Sequence, residues 1–160
     1  MAQRALTAAE WDLWQLWMDA QRALAVEVDR SLQAEVGISK AEFSILVTLR
    51  NAPESTLRVG ALADALNWEK SRVSHLLSRM EGRGFVERIE DGAPGRRTAI
   101  HLSGAGHRVA EAALRVHDGN VRRLFFDRVT AEQAAAIHAW SRGLIDSTLP
   151  READTGTHTH

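Results

Sequence analysis

The segment from Arg58 to Ser103 constrains the fold most, because its apolar period changes from helical to extended part-way along. Leu62, Ala63 and Leu66 share one face of a short helix over roughly Val59 to Leu66, and Asn67 breaks the pattern. Val73, Leu76, Leu77 and Met80 then repeat at helical spacing over about Glu69 to Arg83, and Gly84 supplies a left-handed stop. Beyond it, Phe85–Ile89 and Thr98–Leu102 are rich in β-branched and apolar residues and read as two strands. The connection, Asp91-Gly92-Ala93-Pro94-Gly95, is turn chemistry, and Arg96-Arg97 follow it directly. A helix pair followed by a basic-tipped hairpin is the expected local architecture.

The flanks are helical. Thr7 with Glu10, Ser39 with Glu42 and Thr130 with Gln133 each place a hydroxyl residue three positions before Glu or Gln, the spacing at which the two side chains cap a helix start reciprocally. The first of these helices is expected from about Ala8 to Glu35, with Trp11, Trp14, Trp17, Met18, Leu24, Val28 and Leu32 as its apolar positions and Gly37 as its stop. A second, from about Lys40, is expected to bury Phe43, Leu46, Val47 and Leu49 and to end at Asn51-Ala52-Pro53, since proline disfavours the helical conformation in the residue before it. Ser103 is placed to cap a long helix reaching about Phe126, and a last helix is expected over Ala131 to Leu149.

The fold class read from these elements is mainly α: a winged helix-turn-helix with long N- and C-terminal dimerisation helices and a small β-hairpin wing. The expected division assigns 1–36 and 104–149 to dimerisation, 37–103 to the winged lobe, and 150–160 to a polar, disordered tail.

Composition narrows the function. A chain of 160 residues, 44% hydrophobic and 26% charged, suits one globular domain with an extension. There is no cysteine, so disulfides, thiolate nucleophiles and thiolate metal sites are excluded. No run approaches the roughly 18 apolar residues needed to span a bilayer, so no membrane partner is expected. The N-terminus, MAQRALTAAEWDLW, lacks a basic region followed by an apolar stretch, which makes the cytoplasm the expected location. The net charge is only −1, but it is unevenly spread. Arg58 to Arg97 carries eight cations against six acids, while Met1 to Glu35 carries three against six.

The second helix of the pair carries Lys70, Ser71, Arg72, Ser74, His75, Ser78 and Arg79 on its outer face. Arg and Lys bond guanine edges in the major groove, Ser bonds several bases, and all of them hold phosphates. In a helix-turn-helix the first helix braces the second in the groove. Arg96 and Arg97 at the hairpin tip are suited to a narrow, negative minor groove. A solvated polar helix beside a basic hairpin is the plainer account of the same residues. The ordered combination of helix pair, glycine stop and basic hairpin favours the DNA reader, and the candidate DNA-binding set is Lys70, Ser71, Arg72, Ser74, His75, Arg79, Arg96 and Arg97.

From about Leu6 to Leu149 the chain resembles the MarR (multiple antibiotic resistance regulator) family. The segments carrying the resemblance are SKAEFSILVTL, LRVGALADALNWEKSRVSHLLSRMEGRGFVERIEDG, RRTAIHLSGAG and TAEQAAAIHAW. Within them Leu62-Ala63, the run from Met80 to Arg88, and Leu102, Ser103 and Gly106 match family patterns. The resemblance implies a homodimer joined through the first and last two helices, one recognition helix per subunit, and Arg96 at the wing tip. Pro94 stands where the family usually has the Asp that orients nearby basic side chains, and Arg97 is placed to share the role of Arg96.

The function expected is sequence-specific DNA binding by a homodimeric repressor of a pseudo-palindromic operator, with double-stranded DNA and a second copy as partners. Release by a small aromatic or phenolic effector is the expected control. Trp14, Trp17, Arg22, Phe43 and Leu46 are the candidate ligand-binding residues, with the tryptophans as aromatic walls and Arg22 for a carboxylate. Core or dimer-interface filler is the competing role for the same tryptophans. A metal-responsive regulator and a helical interaction module without DNA binding are the alternatives. His101, His107, His117 and His138 show no ligand spacing, so neither metal site nor cofactor is expected. No nucleophile–base pair or phosphate loop stands out, so the chain is not read as an enzyme.

Overall fold

The computed structural model describes residues 4–90 and 98–148. It comprises two compact units, Met1–Val121 and Arg122–His160.

In the first unit, helix α1 (Ala8–Val36) opens on the expected capping box: Glu10 N donates to Thr7 Oγ1 at 3.3 Å and Thr7 N donates to Glu10 Oε2 at 2.6 Å. It closes on Gly37 at φ +73°, whose N–H reaches Gln33 O at 3.1 Å while Ile38 N reaches Leu32 O at 3.4 Å. Helix α2 (Lys40–Asn51) opens on the Ser39–Glu42 box. Strand β1 (Thr56–Arg58), helix α3 (Val59–Leu66) and helix α4 (Lys70–Gly82) follow in order. Strands β2 (Val86–Glu90) and β3 (Thr98–Leu102) lead into helix α5 (Gly104–Val121). The sheet order is β1-β3-β2, antiparallel throughout, with Val86 opposite Leu102 and Thr56 opposite His101.

A three-stranded sheet therefore stands where a two-stranded hairpin was expected. β1 is three residues long, too short to show alternation, and its partner lies more than forty residues downstream. Thr56 Oγ1 and His101 Nδ1, 3.0 Å apart, bond across the two strands.

The core lies where α2, α3, α4 and the sheet converge. Ile38, Ile45, Leu46, Leu49, Leu62, Val73, Leu77, Met80, Val86, Ile100 and Leu102 are essentially without exposed surface. Ile45 takes the buried place expected for Val47, which is half-buried. α1 packs along α5, where Ser31 Oγ and Asn120 Oδ1 meet at 3.2 Å in a buried polar tie. At the head of α5, Ser103 Oγ donates to Gly84 O at 2.6 Å and accepts from Gly106 N at 3.0 Å. A Cβ on residue 106 would stand 2.1 Å from Phe85 O, so only glycine allows the approach. The Leu102-Ser103-x-x-Gly106 motif is thus the joint between helix and sheet.

In the second unit, a π-helical turn (Arg122–Phe126) precedes helix α6 (Ala131–Thr148). The α-helical part of α5 stops at Val121, five residues before the expected Phe126. α6 opens on its box as expected, with Gln133 N donating to Thr130 Oγ1 at 3.2 Å. No helix among the described residues is long and apolar enough to cross a membrane. The segment 150–160 lies outside the described residues.

Candidate nucleic-acid interface

The turn between α3 and α4 is built on a left-handed Asn67 at φ +51°. Asn is one of the few residues with a side chain that takes this conformation readily. Asn67 N bonds Asp64 O and Trp68 N bonds Ala63 O, each at 3.0 Å, which closes the end of α3 before α4 begins.

The sequence then divides α4 into two faces. Val73, Leu77 and Met80 have no exposed surface and hold the helix to the lobe. Lys70, Ser71, Arg72, His75, Ser78 and Arg79 are exposed, and Ser74 is half-buried. Between Lys70 and Arg79 there are three cations and no acid. The nearest acid further along, Glu81, is taken up by Arg88 Nε at 3.0 Å, and Arg88 Nη2 also donates to Ser78 Oγ at 3.3 Å. The positive end of the helix dipole adds to the field at Lys70 and Ser71. An outer face of this kind can hold phosphates and offer donors to base edges.

One feature was missed in the sequence. Trp68, read there as turn packing, is half-buried, and the Arg72 guanidinium carbon lies 4.2 Å from its ring centroid. Stacking of this kind restricts a long side chain that would otherwise sample many rotamers. The spacing of the two residues, four apart at a helix start, was the available signal.

The wing residues Arg96 and Arg97, with Pro94, lie outside the described residues. The strands that carry the tip are in place.

The expected ligand residues lie in different surroundings among the described residues. Leu46 has no exposed surface and sits in the core. Phe43 is 8% exposed and tilts against the His117 ring, with centroids 4.9 Å apart. Trp14 is half exposed and Trp17 half-buried on α1. Arg22 pairs with Asp19 at 3.1 Å and lines a shallow groove with Ala25, Val26, Asp29, Arg30 and Gln33, not with the aromatic residues. Among the described residues, no group of three or more His, Asp or Glu side chains is arranged to hold a metal.

A MarR family model matches residues 36–97, from the end of α1 into the wing. Transcriptional regulator HosA of Escherichia coli is 30% identical over 96 residues, covering 60% of this chain and 69% of HosA. The chain belongs to the MarR family. Two Streptomyces coelicolor MarR family regulators share the fold over most of its length. Sco3205, solved in complex with DNA, superposes with a TM-score of 0.82 at 30% identity, covering 96% of this chain and 97% of its own. AbsC superposes with a TM-score of 0.81 at 26% identity, covering 91% and 97%. The mainly helical winged-helix fold and the assignment to a non-enzymatic family of transcription regulators follow.

Proposed function

We propose that this MarR family member is a homodimeric repressor that reads a pseudo-palindromic operator through α4. The outer face of α4 from Lys70 to Arg79, which carries no acid and stands over a buried inner face, carries the reading. Arg72, Ser71, Ser74 and His75 take base edges, Lys70 and Arg79 take phosphates, and Arg96 and Arg97 enter the minor groove. Dimerisation through α1, α5 and α6 is supported by apolar residues that their own units leave outside. Trp11, Leu13, Trp14 and Leu16 on α1, and Trp140, Leu144 and Ile145 on α6, are each about half exposed or more. Two-fold pairing requires such a self-complementary patch.

Release by a small aromatic or phenolic ligand completes the proposal. Its support is the contact between Phe43 and His117, because the His117 Nδ1 is buried and has no hydrogen-bond partner among the described residues. A phenol or carboxylate placed there would satisfy it.

The test is binding to duplexes enriched from a random-sequence pool by the protein itself. Enrichment of an inverted repeat is expected, with Arg72→Ala relaxing one position per half-site. A pool that yields no consensus would end the reading. For the ligand arm, phenolic acids should dissociate the complex from wild type but not from His117→Ala.

A further inference from the structure

Arg83 follows α4 directly, yet its side chain turns away from the reading face. Its Nη1 donates to Glu42 Oε1 at 3.1 Å and its Nη2 donates to Gly37 O at 2.8 Å. The guanidinium carbon also lies 4.5 Å from the Phe85 ring centroid. Glu42 is buried, with 4% of its side chain exposed, and its Oε2 accepts from Ser39 N at 2.8 Å and Ser39 Oγ at 2.9 Å. Gly37 is the left-handed joint between α1 and α2. One planar side chain therefore ties the end of α4 to the joint from which α1 departs.

Local structure does not require this tie. The Ser39–Glu42 capping box is complete without Arg83, and α4 is already held by Val73, Leu77 and Met80. The tie adds a constraint between elements more than forty residues apart. It acts on the angle between α1, which carries the exposed apolar face, and α4, which carries the cations. A planar guanidinium suits this role because bonds from its two Nη atoms to separate acceptors fix orientation as well as distance.

We infer that Arg83 is a positioning residue for DNA recognition, setting the pose of α4 against α1 and thereby the half-site spacing the dimer accepts. The inference rests on the proposed reading of α4 as recognition helix and α1 as dimer helix. In a two-fold protein a small rotation at this joint is applied to both recognition helices, so the separation between them changes in register with the operator.

The experiment uses full-length wild type, Arg83→Gln, Arg83→Lys and Glu42→Gln. Each is titrated, across a salt series, with the duplex enriched by wild type, the same duplex with one base pair inserted between half-sites, and a scrambled duplex. Thermal midpoints and sedimentation identify variants that are folded and dimeric. Arg83→Gln should lose at least about 5-fold in affinity for the enriched duplex. It should also lose most of the wild-type preference over the inserted spacing, while binding scrambled DNA as wild type does with the same salt slope. Glu42→Gln should move in the same direction, and Arg83→Lys should restore only part of the preference. Should Arg83→Gln fail to fold, the comparison of Glu42→Gln with Arg83→Lys decides. An equal loss on all three duplexes, with the salt slope falling by about 0.9, would make Arg83 a phosphate contact and overturn the inference. So would folded variants that keep the wild-type spacing preference. Wild type that enriches no duplex would instead remove the DNA-reading proposal beneath it.

Discussion

The reading lobe and the first half of α1 treat their large apolar residues in opposite ways. In the lobe, Leu49, Leu62, Leu77, Met80 and Ile100 have no exposed surface. On α1, Trp11 and Trp14 are 51% exposed and Leu13 68%. The lobe gathers three helices and a three-stranded sheet around one centre, so each side chain finds neighbours within the chain. A single helix extending from a packed partner has none to offer along its far half. One region is a finished core and the other leaves its apolar face uncovered, a distinction that composition cannot make because leucine and aromatic residues occur in both.

That contrast can be broken most sharply in the core. Leu77→Ala should cost about 2–5 kcal/mol of unfolding free energy, read by urea denaturation, because the surrounding lobe closes only partly over the cavity. Trp14→Ala should behave differently, leaving the lobe intact while weakening self-association by about 2 kcal/mol if Trp14 is an interface anchor. Sedimentation of wild type at micromolar concentration should give about 35 kDa, twice the 17.7 kDa chain, and a stable monomer would remove the distinction altogether.

The outer face of α4 allows finer tests. Arg72→Ala should cost about 1–3 kcal/mol in operator affinity and relax specificity at one position, without altering stability. Trp68→Ala should reproduce part of that loss, about 0.5–1 kcal/mol, by releasing the Arg72 side chain from its stack. If Trp68→Ala instead lowers the thermal midpoint and spares DNA binding, the indole is packing alone.

The smallest effect is expected from acid. Burial tends to raise the Glu42 pKa, but the hydrogen bonds from Ser39 and the charge and hydrogen bond of Arg83 together outweigh it, leaving the carboxyl below the usual carboxylate range. The stabilisation it contributes is present above the pKa of the unfolded chain and disappears as pH falls through the lower, folded value. Stability measured below about pH 4 should therefore fall more in wild type than in Glu42→Gln.

Much of the fold was legible because its signals are local. The capping boxes at Thr7, Ser39 and Thr130 and the αL stops at Gly37, Asn67 and Gly84 each depend on a few adjacent residues, and all are observed. The face of α4 that carries the cations was legible for the same reason, since helical spacing assigns Val73, Leu77 and Met80 inward and the polar residues outward. β1 was not legible, because three residues carry no period and the pairing that makes them a strand lies at His101. The Arg83–Glu42 tie was equally hidden, joining residues 41 apart that each look like solvated charges in the sequence. The surroundings of Leu46 and Arg22 were not legible either, since tertiary packing puts Leu46 in the core and Arg22 beside Asp19.

The close approach at Gly106 decides where this chain can vary. With the carbonyl of Phe85 where a Cβ would stand, a population of variants selected only for folding would return one residue type at 106. At the half-buried neighbours Ala105 and His107 it would return many. Single-residue insertions between Leu102 and Gly106 would move the glycine off the contact and be eliminated. Insertions after it would rotate the rest of α5 by about 100° each and survive only where the helix surface tolerates the turn. Drift in this regulator is therefore punctuated, with a nearly fixed point at the exit from the sheet and wide latitude on either side.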